Sequence, residues 1–358
     1  MRLAAPVVLL SSAIALAAQQ AAPPMQSTTA TEAPQRDTSF IDSEGRAHIT
    51  RIVPVPADLS PQSRFWLSEA VPDGDPHETL AHRREGTDKW AVTARDQWLA
   101  LYPAKLTEDK IAGVPVRIVV PEGIPDANKD KVLLNLHGGG FNSDSGSFTE
   151  SIPIANLTHT RVVSVLYRLA PEHPFPAAVD DTIAVYRDLL KTYKPSHIAL
   201  YGTSAGAILT AEVAVRLKQL NLPLPGALGI FAGTGDFSQT ADSQAMYALH
   251  GLTGSLPVAG TQPRNTEYTG TTDPKDPVLS PLYADLHGMP QTLFITSGRD
   301  SQLSGTIILH RAFLRSGVSA QLIVFEALTH AFWNDVSLPE TKEAYAYMAD
   351  FFSQQLNH

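Results

Sequence analysis

Short, almost continuously apolar runs alternate with segments of helical periodicity from about residue 108 onward. The run Val132–Leu136 contains a single polar residue, and segments such as Ala177–Lys191 and Ala205–Leu217 lie between such runs. Apolar runs of this kind are typical of strands covered on both faces, and the intervening helices supply the crossovers that parallel strands require. The pattern therefore predicts an α/β fold with a mostly parallel central sheet flanked by helices.

The predicted strands are Val116–Val120, Val132–Leu136, Val162–Leu166, Ile198–Tyr201, Leu228–Phe231, Thr292–Thr296 and Gln321–Phe325. The predicted helices are Ala177–Lys191, Ala205–Leu217, Thr306–Arg315 and Glu340–Leu356. The stretch from Asp236 to Leu286 breaks this alternation because it is rich in Gly, Thr and Pro and contains no strong strand signal. A long insertion of this kind in an α/β domain is usually a lid or a binding segment.

Composition excludes several classes of site. The 358 residues include no cysteine, and 36 acidic against 27 basic side chains give a formal net charge of −9. A chain without cysteine has no disulfide framework, no thiolate nucleophile and no iron–sulfur cluster. An acidic chain without a long Lys/Arg run is a poor match for a phosphate backbone, so no nucleic-acid partner is expected.

No metal or cofactor is expected either. The segment from His77 to His82 has one residue too many for the H-E-x-x-H zinc motif, so its two imidazoles would not share a helix face. No Walker sequence or dinucleotide-binding glycine pattern is present.

The N-terminus predicts export. Arg2 precedes an apolar stretch, Leu3–Ala17, which closes on a small-x-small sequence typical of signal peptidase sites. We interpret residues 1–17 as a signal peptide and the Ala/Gln/Pro/Ser-rich residues 18–39 as a flexible linker. The expected protein is therefore periplasmic or secreted and has no integral membrane anchor, and the alternative is a buried N-terminal helix.

The strongest chemical signal is a glycine-flanked serine between a predicted strand and a predicted helix. Gly202-Thr-Ser204-Ala-Gly206 follows the strand that ends at Tyr201. A sharp strand-to-helix turn holds such a serine out at the carboxyl edge of the sheet, where its hydroxyl can act as a nucleophile. The alternative interpretation is a Gly/Ser turn that serves geometry alone.

A glycine-rich loop lies upstream, after the predicted strand Val132–Leu136. His137-Gly138-Gly139-Gly140 exposes successive backbone N–H groups without Cβ shielding, as an oxyanion hole for acyl transfer requires. We predict the N–H groups of Gly138, Gly139 and Ala205 as the donors. His137 precedes the nucleophile and is interpreted as a residue that orders this loop.

These two motifs, together with the segment Tyr167-Arg-Leu-Ala-Pro-Glu-His-Pro-Phe-Pro-Ala-Ala-Val-Asp-Asp181, resemble the hormone-sensitive-lipase-like esterases of the α/β-hydrolase superfamily. The resemblance covers roughly residues 50–356. Thr203 stands where the family usually has Asp, which resembles the branch with Thr at this position. The resemblance implies a helical N-terminal cap over the substrate pocket, which we assign to residues 40–105. We assign the catalytic domain to residues 106–358, with residues 236–286 as a further candidate for the cap.

The base and the acid follow from the order Ser, acid, His that this fold requires. His330 lies just after the strand Gln321–Phe325 and before the last helix, and Asp300 follows the strand Thr292–Thr296. The alternative role of His330 is that of a buried structural histidine, and the alternative for Asp300 is a solvated loop carboxylate. The family usually has Gly-Met before this histidine and Pro after this aspartate, and both differ here.

The predicted activity is that of a serine carboxylesterase acting on small-molecule esters, and the resemblance implies short to medium acyl chains. Phe141, Trp333 and the N-terminal aromatic residues are candidate walls of the substrate pocket. Two alternatives stay open: a lactone- or amide-specific serine hydrolase of the same fold, and a non-catalytic member that binds small molecules. The oligomeric state also stays open, with a homodimer as one alternative.

Overall fold

The computed structural model describes residues 38–69, 78–247 and 266–357. The chain divides into two compact units, residues 1–54 and 55–358. The described part of the first unit forms an antiparallel pair of short strands, β1 (Phe40–Ile41) and β2 (Ala47–His48). The Asp42 carboxylate closes the turn between them by accepting the backbone N–H groups of Glu44 and Arg46. The predicted signal peptide and all but the last two residues of the predicted linker lie outside the described residues.

The second unit is built on an eight-stranded sheet with the order β10-β9-β8-β7-β5-β6-β4-β3. In this order, each neighbouring pair from β10 to β6 is parallel. The β6–β4 and β4–β3 pairs are antiparallel. The α/β-hydrolase architecture with a mostly parallel sheet is therefore confirmed. The strands are β3 (Ala104–Ile111), β4 (Val114–Pro121), β5 (Val132–Leu136), β6 (Arg161–Val165), β7 (Ile198–Thr203), β8 (Ala227–Phe231), β9 (Gln291–Arg299) and β10 (Ala320–Thr329).

Helices cover both faces of this sheet. Leu134 and Leu136 of β5 point into one core with helices α4, α5 and α8, whereas Leu133 points into the opposite core with α2, α3 and α9. Both faces of the central strands are thus buried, which explains their unbroken apolar sequences. The helices of the described residues are α1 (Pro61–Ser68), α2 (Leu80–Leu101), α3 (Ser151–Thr158), α4 (Ala177–Leu189), α5 (Ala205–Gln219), α6 (Asp242–Tyr247), α7 (Thr266–Thr269), α8 (Leu303–Arg315) and α9 (Pro339–Gln355).

Sequence periodicity missed β3 and α3, and the predicted helical cap gave no bounds for α2. Most side chains of β3 are exposed because it is the edge strand, so its sequence AKLTEDKI has no apolar run. In the 22 residues of α2 only Ala94 and Trp98 are buried, which leaves a weak amphipathic signal. Helix α3 has only eight residues, and both faces are mostly buried. These elements depend on tertiary contacts that a local pattern does not record.

The region predicted as a cap and an insertion is partly described. Helices α1 and α2 lie within residues 40–105, where the cap is predicted. Within residues 236–286 the described portion contains α6 and α7 but no strand, and residues 248–265 lie outside the described ranges. The division into a cap and a catalytic domain stays a prediction.

The turn at Ser204 packs directly against the end of β5. A Cβ atom built on Gly202 or on Gly206 would overlap the backbone carbonyl oxygen of Leu136. Leu136 pairs with Gly202 in the β5–β7 register, so this close approach joins the two strands at their carboxyl ends. The glycines are required because only a hydrogen fits between the turn and the neighbouring strand.

We predict opposite effects for the same substitution at two helical glycines. Gly206→Ala, in α5, is expected to lower the free energy of unfolding by about 3 kcal/mol or more because the new Cβ forces the turn away from Leu136. Gly86→Ala, in α2, is expected to raise it by about 0.5–1 kcal/mol because no atom lies near the new Cβ and alanine favours a helix. Denaturant unfolding of both variants tests this pair, and an equal response at the two positions would contradict it.

Candidate active site

Ser204 connects β7 to α5 with a strained backbone. Its φ is 58° and its ψ is −120°, a conformation that residues other than glycine rarely adopt. Its N–H donates to the carbonyl oxygen of Phe231 at 2.9 Å, so the neighbouring strand β8 holds the strained residue in place. The turn places Ser204 at the carboxyl edge of the sheet, as its sequence motif predicts.

The structure brings Ser204, His330 and Asp300 together in one chain of hydrogen bonds. The distance from Ser204 Oγ to His330 Nε2 is 2.8 Å, and the distance from His330 Nδ1 to Asp300 Oδ1 is also 2.8 Å. Asp300 follows β9 and His330 follows β10. Because β7, β9 and β10 run parallel, their carboxyl ends meet at one edge of the sheet.

Asp300 is fully buried and held by further donors. Its Oδ2 accepts the hydroxyl of Thr296 at 2.9 Å, and its Oδ1 also accepts the N–H of Gln302 at 2.7 Å. These bonds fix the carboxylate against the imidazole. They also satisfy a buried charge that would be costly without partners.

Asp300 also controls the protonation of His330. Burial lowers the pKa of His330, but the negative charge of Asp300 and the hydrogen bond to it outweigh burial and raise the pKa above its ordinary value of 6.5. A carboxylate can only accept, so Nδ1 carries the proton in this bond and Nε2 faces the hydroxyl of Ser204 as an acceptor. The arrangement can remove a proton from Ser204 Oγ.

One N–H group of the glycine-rich loop is not available for its predicted role. The N–H of Gly138 points at the Glu150 carboxylate, with an N–Oε1 distance of 3.2 Å, so Gly138 is not available as an oxyanion donor. Glu150 lies 12 residues downstream, and no local motif announces this contact. In the described part of the chain, the N–H groups of Gly139 and Ala205 remain without a hydrogen-bond partner, and these two predicted donors stay available.

His137 orders the loop, as the sequence suggests. Its Nδ1 donates to the carbonyl oxygen of Gly138 at 2.8 Å, and its ring stacks on Tyr167 with centroids 4.2 Å apart. The hydroxyl of Tyr167 donates back to the carbonyl oxygen of His137 at 2.7 Å. His137 is buried and takes no part in the chain of bonds at Ser204.

Phe141 and Trp333 lie in the core and are not among the residues that line the cleft at His330, so their role as walls of the substrate pocket stays a prediction. Phe141 stacks on Tyr268 with centroids 3.5 Å apart. Trp333 is fully buried and donates its indole N–H to the hydroxyl of Thr203 at 3.2 Å, which ties the loop after β10 to the turn at Ser204. Both rings therefore pack within the core.

A cleft of about 520 Å³ opens at His330 and has Trp66 of α1 and Trp90 of α2 in its walls. These are two of the N-terminal aromatic residues that the sequence suggested. Ala94 and Gln97 also line the cleft, and they were not predicted. The spacing 90, 94, 97 is that of one helical face, a signal that could have identified them. The other lining residues are His330, Ala331, Phe332, Asn334, Asp335, Val336 and Ser337.

The described residues contain no group of three or more His, Asp or Glu side chains that could hold a metal ion. No helix among residues 38–69, 78–247 and 266–357 is both long enough and apolar enough to cross a bilayer.

Known proteins resemble this chain along most of its length. A sequence profile of the α/β-hydrolase fold matches residues 133–334. An esterase of Acinetobacter venetianus is 30% identical over 271 residues, which is 72% of this chain and 86% of that protein. An acetyl-hydrolase of Streptomyces hygroscopicus is 30% identical over 243 residues, covering 65% of this chain and 81% of the relative.

Solved structures agree. The crystal structure of an esterase superposes with a TM-score of 0.74 at 33% identity, covering 85% of this chain and 97% of that one. The crystal structure of an esterase from the bacterial hormone-sensitive lipase family superposes with a TM-score of 0.70 at 30% identity, covering 83% of this chain and 99% of the other. With its profile match, its relatives and its sheet order, this chain belongs to the α/β-hydrolase superfamily, among the esterases of the hormone-sensitive lipase family.

Proposed function

We propose that this carboxylic ester hydrolase works through a covalent acyl-enzyme on Ser204, with His330 as the base and Asp300 as the acid that orients it. The observation that carries the proposal is the continuous chain from Ser204 Oγ to His330 Nε2 and from His330 Nδ1 to Asp300, with both distances at 2.8 Å. A serine hydroxyl becomes a useful nucleophile only when a positioned base takes its proton.

In the proposed first step, Ser204 Oγ attacks the ester carbonyl carbon while its proton moves to His330 Nε2. The negative charge that develops on the carbonyl oxygen is stabilised by the N–H groups of Gly139 and Ala205, and one such donor is worth about 3–4 kcal/mol of barrier. Asp300 stabilises the imidazolium. His330 then protonates the leaving alcohol, and the C–O bond breaks.

In the second step, His330 takes a proton from water, which attacks the acyl carbon. The bond from Ser204 Oγ to this carbon breaks, the proton returns to Oγ, and the carboxylic acid leaves. The overall reaction converts one ester and one water into one carboxylic acid and one alcohol. The loop after β10 and the strained turn hold the reacting groups close throughout, which supplies much of the advantage of an intramolecular reaction.

We propose short to medium acyl chains as the preferred substrates. The cleft at His330 has a volume of about 520 Å³, within the usual range for small-molecule sites. Trp66 and Trp90 provide apolar walls, whereas Gln97 and Asp335 make part of the lining polar. The Streptomyces relative is named as an acetyl-hydrolase, which also supports a short acyl group. We propose that residues 40–105 act as the cap over this cleft.

A panel of p-nitrophenyl esters from acetate to palmitate tests the function, together with one lactone and one anilide. We expect kcat/KM to be highest for the short and medium esters, and Ser204→Ala to lower it by at least about 10⁴-fold because the nucleophile is lost. Ser353→Ala, at a half-buried position of α9 outside the chain of hydrogen bonds at Ser204, is the matched control and should retain full activity. Preference for palmitate, for the lactone or for the anilide would overturn the substrate class, and full activity of Ser204→Ala would overturn the mechanism.

The pH dependence tests the role of Asp300. His330 must be neutral to accept a proton, and its pKa is raised above 6.5, so activity should fall as the pH drops through a value above 6.5. Asp300→Asn removes the charge that raises the pKa, so burial then dominates and the acid limb should move to lower pH. The same change should reduce kcat by about 10⁴-fold because the imidazole is no longer held in the productive tautomer.

The measurement is kcat/KM between about pH 5 and pH 9, the range in which a histidine titrates. Asp285→Asn provides the control because Asp285 accepts a comparable bond from His287 Nδ1, at 2.7 Å, on the protein surface. That variant should reproduce the wild-type profile. An acid limb of Asp300→Asn at or above the wild-type position would contradict the assignment.

We also propose that the chain is exported after removal of residues 1–17. Support comes from Arg2, the apolar run Leu3–Ala17 and its small-x-small ending. Expression of the full chain in a bacterial host should yield extracytoplasmic protein whose N-terminal sequence begins at Ala18. A Leu9→Arg/Leu10→Arg variant interrupts the apolar run and should stay in the cytoplasm. Cytoplasmic wild-type protein that retains Met1 would refute export.

A further inference from the structure

A buried carboxyl group lies behind the glycine-rich loop and takes no part in the proposed proton transfers. Glu150 precedes α3, and the residue is 2% exposed. Its Oε2 accepts the side-chain amide of Asn135 at 2.9 Å, and its Oε1 accepts the N–H of Gly138 at 3.2 Å. Its recorded donors therefore come from β5 and from the glycine-rich loop.

The surroundings are shaped to bring this carboxyl group close to the loop. A Cβ atom on Gly146 would overlap Glu150 Oε1, so a glycine is needed at that position. The amide of Asn135 has a defined orientation because its Oδ1 accepts the hydroxyl of Ser164 at 2.6 Å, which leaves Nδ2 facing Glu150. Both recorded hydrogen bonds to the Glu150 carboxyl group thus come from N–H donors, one to each oxygen, and they match an acceptor with two oxygens.

We propose that Glu150 is a positioning residue: it binds Asn135 of β5 and Gly138 at once and thereby fixes the glycine-rich loop to the strand that packs against the turn at Ser204. Gly139 directly follows Gly138 in the chain, and Ala205 directly follows Ser204. If the anchor is lost, the two N–H donors no longer converge on the oxygen that develops charge. This inference rests on the proposed acyl-enzyme mechanism and assigns the part of the protein that holds its oxyanion hole together.

The protonation state of Glu150 matters for this role. Protonation would convert one carboxyl oxygen of Glu150 from an acceptor into an O–H donor, although only N–H donors face it. The ionised form is therefore the one that binds the loop fully. Burial raises the pKa of Glu150 to about 8, with a smaller contribution from the charge of Asp144, while the N–H donors that face it lower the pKa. The other titratable groups that interact with it are the hydroxyls of Tyr167, Tyr201 and Tyr345, whose pKa values burial raises well above 10. Activity should therefore rise further as the pH passes through about 8.

Glu150→Gln tests the proposal with a side chain of the same shape. The new amide places an NH₂ group against an N–H donor, so we expect kcat to fall about 10- to 100-fold, as when an oxyanion donor is misplaced. KM should change less than about threefold, since the cleft at Trp66 and Trp90 is untouched. The rise in kcat near pH 8 should disappear because the titrating group is gone.

Two further variants separate positioning from a general loss of stability. Glu212→Gln is the control because Glu212 is equally buried in α5, has a raised pKa, and binds only Tyr268 among the described residues. It should lower the melting temperature and leave kcat and its pH profile unchanged. The double variant Asn135→Asp/Glu150→Gln should restore kcat at least tenfold over Glu150→Gln, because the new amide can donate to the new carboxylate and return its oxygen to Gly138.

Labelling by a fluorophosphonate distinguishes the failure of this inference from the failure of the proposed function. If Ser204 is the nucleophile, wild-type protein is labelled and Ser204→Ala is not, whatever happens at Glu150. Labelling of Glu150→Gln should then be slower in proportion to its kcat. The inference is overturned if Glu150→Gln keeps kcat and its labelling rate within about twofold of wild type, if Glu212→Gln loses as much kcat, or if the double variant recovers nothing.

Discussion

The close backbone contact between the turn at Ser204 and the end of β5 is the constraint on which the site depends. The carbonyl oxygen of Leu136 occupies the space where side chains at Gly202 and Gly206 would lie. The glycine-rich loop continues directly from Leu136, so this contact places the predicted oxyanion donors beside the nucleophile. A larger residue at either glycine would separate the two halves of the site, and neither half could act alone.

Two buried acids serve this arrangement in different ways because their partners differ. Asp300 faces His330, which can become a cation, and its charge raises the pKa of the imidazole in spite of burial. Glu150 faces only N–H donors and an acidic neighbour, Asp144, so burial dominates and raises its own pKa to about 8. In the proposed mechanism the Asp300 carboxylate thus assists a proton transfer, whereas the Glu150 carboxylate holds backbone groups in place.

Much of the site could be predicted because its residues are identified by their order along the chain. Chain order selects His330 and Asp300 once Ser204 is recognised, and the structure joins all three. The prediction for Gly138 was wrong because its N–H is taken by Glu150, whose relevance no local motif indicates. The sequence could not decide the orientation of Trp333 because an aromatic residue near a base can face either the cleft or the core, and its bond to Thr203 turns it inward.

The sequence by itself determined the fold class, the strand-turn-helix around Ser204 and the chain order of Ser204, Asp300 and His330, which we propose as nucleophile, acid and base. These follow from apolar periodicity, from glycine spacing and from position along the chain, all of which are local or linear properties. Only the tertiary structure decided which glycine N–H groups stay available and which aromatic rings face the cleft. Those outcomes depend on partners distant in sequence: Glu150 beneath the loop, and Trp66 and Trp90 beside His330. Such pairings are set by how the helices pack on the sheet.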